Sequence, residues 1–223
     1  MQLHQFSRRD MLKLSSTAAV IGFFAPLFHI SPVQATENLN KKALVVYFSM
    51  PETDTPHNMT REEENSTVVI DGKVLGNTQY VAQLIQEMTG GDIFRIVPQT
   101  PYPTDHRTLV DLAKEEQNEN ARPVIAGTVN LAAYDTIFLG YPNWWGDMPM
   151  ILYTFLEQYD FSGKTIIPFC THGGSGFSRT IQTMQGKQPN ATVIRDGYAL
   201  SRSRMERAPS GVAEWLKEVG LKK

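Results

Sequence analysis

A three-layer α/β sandwich with a parallel central sheet is the fold this sequence predicts, and three observations predict it. Apolar runs at 41–49, 93–97, 136–140, 165–170 and 192–200 are continuous rather than alternating. A strand with that pattern is buried on both faces, as in parallel sheets covered by helices. Between the runs, apolar residues fall at helical spacing. Strand and helix alternate five times, the order that right-handed crossovers between parallel strands produce.

Each element has its own signal. The first run, Lys-Lys-Ala-Leu-Val-Val-Tyr-Phe-Ser, predicts a strand ending at Ser49. Val81, Leu84, Ile85 and Met88 make one helical face, and Gly90-Gly91 stops it. A second helix is expected over 105–120. A third is marked by Ile151, Leu152, Phe155 and Leu156, and a looser fourth follows Ser175. Val212, Trp215, Leu216 and Val219 mark the last, stopped by Gly220. Residues 50–75 interrupt this order between the first strand and the first helix. Val68 to Leu75 read as a hairpin with an Asp71-Gly72 turn. The segment carries Glu52, Asp54, Glu62, Glu63, Glu64 and Asp71 against Arg61 and Lys73. Such an acidic insertion forms either a lid or docking edge beside the site, or a solvated loop without a role.

With 223 residues and 41% hydrophobic side chains, the chain can bury a substantial core. A net charge of −2 gives no basic field for nucleic acid. Its single cysteine, Cys170, excludes an internal disulfide and a cysteine-cluster zinc site, and no ligand spacing suggests a metal. At the N-terminus, Ser7-Arg8-Arg9-Asp10 precedes an apolar run from about 18 to 30, broken by Gly22 and Pro26. Val33-Gln34-Ala35 supplies a small-residue exit. Residues 1–35 are therefore expected to be a twin-arginine export signal cleaved after Ala35, leaving a domain over 36–223 in the periplasm or another extracytoplasmic space. The run is too short and broken for a permanent membrane anchor, which needs roughly 20 apolar residues. The twin-arginine route carries folded proteins, often with a cofactor already loaded.

In open α/β sheets, ligands bind beyond the carboxyl ends of the strands. Three loops there draw attention. Gly76-Asn77-Thr78 opens the first helix, with Ser49 at the neighbouring strand tip. A helix start of that composition either caps itself or binds an anion. No lysine follows Gly76, so it is not a P-loop, and Gly-x-Gly-x-x-Gly is absent. After the third strand comes Gly140-Tyr141-Pro142-Asn143-Trp144-Trp145-Gly146. Its paired tryptophans either pack into the core or face a flat aromatic ligand. After the fourth strand comes Thr171-His172-Gly173-Gly174-Ser175-Gly176, whose glycines let backbone amides approach a ligand. A serine-hydrolase elbow would need glycine where Phe177 stands. His172 is a structural residue or a hydrogen-bond donor to a ligand, the remaining catalytic roles being unassigned. His57 and His106 are expected on the surface. Together the loops would hold a phosphate, an aromatic slab and a polar ring edge, the parts of flavin mononucleotide (FMN).

The chain resembles the flavodoxin-like family, in the branch that carries Tyr47-Phe48-Ser49, Gly76-Asn77-Thr78, Tyr141 to Gly146 and Thr171 to Gly176. The resemblance spans about 41–221 and implies strand order 2-1-3-4-5 and non-covalent FMN. Ser49, Gly76, Asn77 and Thr78 would then hold the phosphate. Pro142, Asn143, Trp144, Trp145 and Gly146 would border the isoalloxazine, while Thr171, His172, Gly173, Gly174 and Ser175 reach its polar edge. Short-chain members run from strand one into the phosphate loop within a few residues, so the insertion at 50–75 is a departure. The function implied is electron transfer with a redox partner protein or a small quinone-like acceptor. The alternatives are a two-electron quinone reductase fed by NAD(P)H or a quinol, and a cofactor-free binding module. Nicotinamide nucleotides are scarce outside the cytoplasm, which favours a protein or quinol donor.

Overall fold

The central strands divide their side chains between two cores, which is why their sequences do not alternate. The computed structural model describes residues 42–221; the expected export signal lies outside them. In β1 (Ala43–Tyr47), Leu44 and Val46 point to one face, and Val45 and Tyr47 to the other. In β7 (Thr136–Pro142), Ile137, Leu139 and Tyr141 join the first core and Phe138 the second. β8 (Thr165–His172) does the same with Ile166 and Cys170 against Ile167 and Phe169. All of these are essentially solvent-free.

The elements run in the expected alternation, with additions. After β1 come a short helix α1 (Arg61–Ser66), β2 (Thr67–Ile70) and β3 (Lys73–Gly76). Then follow α2 (Asn77–Thr89), β4 (Asp92–Arg95), β5 (Val97–Pro98), α3 (His106–Glu119) and β6 (Ile125–Ala126). β7 leads to α4 (Met150–Gln158), β8 to α5 (Thr180–Lys187), and β9 (Thr192–Val193) and β10 (Tyr198–Ser201) to α6 (Ala208–Glu218). Short 3-10 turns occupy Leu131–Ala133 and Arg202–Arg207. The parallel sheet is ordered β10-β8-β7-β1-β4, with β9 also on β8. Taking the five sequence runs in order, this is 2-1-3-4-5.

Helices α2 and α6 cover one face through Val81, Ala82, Ile85, Val212, Trp215 and Leu216. Helices α3, α4 and α5 cover the other through Leu109, Ile151, Phe155 and Met184. Helix α2 stops where Gly90 turns left-handed at φ 68° and donates its N–H to Gln86 O, as the paired glycines predicted. Helix α3 starts on Asp105, whose carboxylate accepts from Thr108 N at 2.9 Å. Among the described residues no helix is long and apolar enough to cross a membrane, and no group of three or more His, Cys, Asp or Glu could hold a metal.

Two expectations need correction. The run at 192–200 is not one strand: β9 pairs with Thr165 and Ile166, β10 with Phe169 to His172, and 194–197 bulge between them. Opposite that bulge lies Pro168, which has no N–H to give an adjacent strand. The end of the run at 93–97 also leaves the sheet, because Val97 and Pro98 pair antiparallel with Ala126 and Ile125. Within the insertion, the hairpin forms as β2–β3, with Asp71 at φ 50° and Gly72 at φ 75°. The acidic stretch before it is α1, a turn and a half of helix that buries none of its residues. It forms because Thr60 and Glu63 make a reciprocal capping box: Thr60 N–H donates to Glu63 Oε2 at 2.7 Å and Glu63 N–H to Thr60 Oγ1 at 3.3 Å.

Candidate functional site

The three loops converge on one cleft at the carboxyl ends of β1, β7 and β8. It encloses about 890 Å³ of empty volume, open solvent at its mouth included. Ser49, Asn77, Thr78, Pro142, Asn143, Trp144, Trp145, Thr171, His172 and Gly173 all line it. Direct bonds tie the loops together. Thr78 Oγ1 and Thr171 Oγ1 lie 2.7 Å apart, both buried, and Asn143 N–H donates to Thr171 O at 2.8 Å. Ser49 Oγ accepts from Gln79 N–H at 3.2 Å, which docks the start of α2 on the tip of β1.

The first loop leaves hydrogen-bonding capacity unused. Two hydroxyls that face each other consume only one of their two protons, so the Thr78–Thr171 pair keeps one to donate. Asn77 Nδ2 donates to Asn65 O at 2.8 Å, which orients the amide, and Asn77 Oδ1 is buried without any partner. At the first turn of α2, the N–H groups of Asn77 and Thr78 have no intrahelical acceptor. Gly76 itself does not line the cleft. It is buried behind Ser49, and a Cβ there would overlap Ser49 Oγ, so only glycine lets α2 start this close to β1.

The paired tryptophans divide between the two roles the sequence allowed. Trp144 packs edge-on against Phe48 and Tyr102, with centroids 5.5 and 5.7 Å away, and shows one side to the cleft. Trp145 is 53% exposed and sits at φ 53°, a strained value for a bulky residue. Its Nε1–H donates to Val110 O at 3.1 Å and Lys114 Nζ lies 5.2 Å from its ring, so the indole is braced on α3. Asn143 spends its amide on the fold: Nδ2 donates to Gly176 O at 2.8 Å and Oδ1 accepts from Gly146 N–H at 3.1 Å. Gly146 is thereby held in its turn and does not line the cleft.

In the third loop Gly174 N–H donates to His172 Nδ1 at 3.0 Å. That bond fixes Nδ1 as an acceptor, so the proton of the neutral ring is on Nε2. Partial burial lowers the His172 pKa, in keeping with a neutral imidazole. Gly174, its N–H committed to His172, does not line the cleft, and neither does Ser175, which is exposed.

Half the wall lies outside the three predicted loops, part of it on the insertion that was expected as a lid or docking edge beside the site. Met50, Glu52, Glu62, Asn65 and Ser66 of the insertion line the cleft, as do His106, Leu109, Val110 and Ala113 of α3, and Arg202. His106 is exposed, as expected, and also meets Glu52: Nδ1 lies 3.0 and 3.1 Å from the two carboxylate oxygens. Glu52 is only 9% exposed, and burial raises its pKa against the opposing pull of His106. Glu52 N–H donates to Ser66 Oγ at 3.1 Å. The Arg202 guanidinium lies against Gly173 and makes no ion pair among the described residues.

The family model described as Flavodoxin matches residues 67–219, more than half of the chain. The chain belongs to the flavodoxin family. Among solved structures, a protein from Bacteroides eggerthii described as a flavoprotein is 26% identical, over 82% of this flavodoxin and all of its own chain, with a TM-score of 0.61. Its counterpart from Bacteroides uniformis is 28% identical, over 79% and 98% of the two chains, with a TM-score of 0.58. A flavoprotein from Lactobacillus acidophilus, solved in complex with FMN, shares the fold at 20% identity and a TM-score of 0.51, over 75% and 97%. No curated protein matches. The family match begins at β2, so the Ser49 tip of β1 and Glu52 lie before it.

Proposed function

We propose that the cleft binds FMN and that the protein is an exported flavoprotein passing electrons between redox partners. The observation that carries this reading is the unused hydrogen-bonding capacity of the first loop. Free N–H groups at the start of α2 and the spare hydroxyl proton of Thr78–Thr171 suit a phosphate dianion, with the helix dipole adding to them. Asn77 Oδ1 accepts only, so it suits a hydroxyl donor such as a ribityl group carries. An aromatic and proline wall (Trp145, Trp144, Pro142) and a polar edge (Gly173 and the Nε2–H of His172) complete a set that fits this cofactor. When bound, the flavin supplies the redox chemistry. The protein binds and orients it and excludes water from the buried phosphate end, where Ser49, Asn77 and Thr78 are almost solvent-free. Membership of the flavodoxin family and the FMN complex of the Lactobacillus acidophilus flavoprotein support the assignment.

The test is the absorption spectrum of the purified protein, with identification of any released chromophore. Oxidised-flavin bands and released FMN are expected. A colourless protein that takes up no FMN overturns the reading in favour of a cofactor-free binding module. Export rests on Arg8-Arg9 and the apolar run behind them. Replacing both arginines by lysine is expected to leave the protein in the cytoplasm by cell fractionation; unchanged export refutes the twin-arginine route.

A further inference from the structure

The half of the cleft wall that lies outside the three predicted loops has a chemistry of its own. Leu109, Val110 and Ala113, on one face of α3, give an apolar floor beside Met50. At the edge of that floor stands the Glu52–His106 pair, which also borders a second hollow shared with Glu62, Glu63, Asp105 and Arg107. The pair is half-buried, Glu52 covered and His106 exposed, and such pairs contribute little to stability on average because desolvation offsets the attraction. Here the insertion folds back across 54 residues of sequence to bring a carboxylate onto a histidine at the cleft wall. The arrangement is a carboxylate–imidazole couple. Glu52 engages Nδ1, and Nε2 has no partner among the described residues. Held by its Nδ1–H bond to a carboxylate, a neutral imidazole takes a proton at Nε2 and the imidazolium gives one there.

We propose that this half of the cleft is a second binding site, for a planar organic acceptor of the quinone type, and that His106, oriented by Glu52, donates a proton to the acceptor's carbonyl oxygen. The apolar floor takes the ring, and the Nε2–H of the His106 imidazolium, whose Nδ1–H is held by Glu52, is the hydrogen-bond donor that a carbonyl seeks. The inference rests on FMN occupying the other half, since the reduced flavin is the reductant. When bound, the reduced flavin would supply two electrons and one proton to the acceptor. The second proton leaves Nε2 of the His106 imidazolium, its N–H bond breaking as the acceptor's O–H bond forms; the neutral imidazole that remains keeps Nδ1–H on Glu52 and is reprotonated at Nε2 from solvent. The product is the hydroquinone, and the flavin is left oxidised. His106 is then a catalytic residue and Glu52 a positioning residue. The charged groups facing the imidazole are Glu52, Glu62 and Glu63 from the insertion and Asp105 and Arg107 beside it on α3.

The test uses the oxidised, FMN-loaded full chain, which cannot reduce the probe, titrated with tetramethyl-1,4-benzoquinone while protein fluorescence is followed. Saturable quinone binding is expected. Losing one hydrogen bond to a carbonyl, of about 1.4 kcal/mol, weakens binding about tenfold in His106→Ala. Glu52→Gln keeps the shape and is expected to weaken binding severalfold, with FMN affinity unchanged in both variants. In turnover with the reduced protein, the pH profile of His106→Gln loses the limb that reports the imidazolium. Equal quinone binding by wild type and both variants, or none by the FMN-loaded wild type, overturns this site and leaves the FMN assignment standing. If the chain holds no FMN, the proposed function fails instead, and the same titration on the colourless protein still decides whether His106 and Glu52 bind the probe.

Discussion

Replacing Gly76 by alanine tests the docking of α2 on β1 with little backbone strain to confuse the result, because Gly76 has φ −67° and ψ 147°. An alanine Cβ would overlap Ser49 Oγ. The hydroxyl must therefore turn away and give up the Gln79 N–H bond at 3.2 Å. A donor left without its acceptor costs about 1–3 kcal/mol, less at a partly exposed site. Alanine returns about 0.4–1 kcal/mol through the unfolded chain. The net loss is about 1–2 kcal/mol. In a domain of this size that lowers Tm by about 2–8 °C, and urea denaturation of the apoprotein measures it directly. Ser49→Ala supplies the control. With Oγ gone, the nearest contacts of the new Cβ are Pro51 Cδ at 3.2 Å and Ser49 Cβ at 3.3 Å, tight but not overlapping. The Gln79 donor has then already lost its partner. In the Ser49→Ala background Gly76→Ala should cost under about 0.5 kcal/mol, a coupling of about 1 kcal/mol. Additive costs would refute the assignment of glycine to this close approach.

Three further outcomes are expected. Thr171→Val leaves the buried Thr78 hydroxyl without its 2.7 Å partner, costing about 1–3 kcal/mol by urea denaturation, and Thr78→Val/Thr171→Val should cost less than the sum of the single changes. Burial pushes the Cys170 thiol up to about 12, so iodoacetamide at pH 8 should leave it unmodified in the folded protein and label it fully in urea. Hydrogen bonds from Arg122 and then Lys187 hold Glu157 down at about 2, below its unfolded value near 4.5. Its contribution is present above pH 4.5 and is lost as the pH falls toward 2. Because the carboxylate is exposed, it is worth about 1 kcal/mol or less; Glu157→Gln should lose up to that amount at pH 7, converge with the wild type near pH 2, and so flatten that part of the stability–pH curve.

The sheet was legible in the sequence because burial on two faces leaves an unbroken apolar run, and β1, β7 and β8 obey that rule residue by residue. The run at 192–200 misled because its interruption comes from Pro168 on the neighbouring strand, which only pairing reveals. In the cleft, glycines and tryptophans announced themselves by being costly in loops. Glu52 and His106 did not, since each alone reads as a solvated charge and only the fold of the insertion brings them together. Helix α1 did carry a signal, Thr60 followed by Glu63, but no apolar face followed it. The commitment of Gly174 N–H to His172 likewise depends on local geometry that composition does not encode.

That same helix has a consequence for exchange of whatever the cleft holds. α1 buries none of its residues, and a bond from Asn77 Nδ2 to Asn65 O moors it to the wall of the pocket. Lifting it removes no side chain from either core, so the wall can open by local fraying while the sheet stays closed. Amide protons in 61–66 would then trade with deuterium far sooner than those of β1 or β7. An occupant that engages Asn77 would tighten the mooring and slow that traffic, making the insertion a reporter of occupancy.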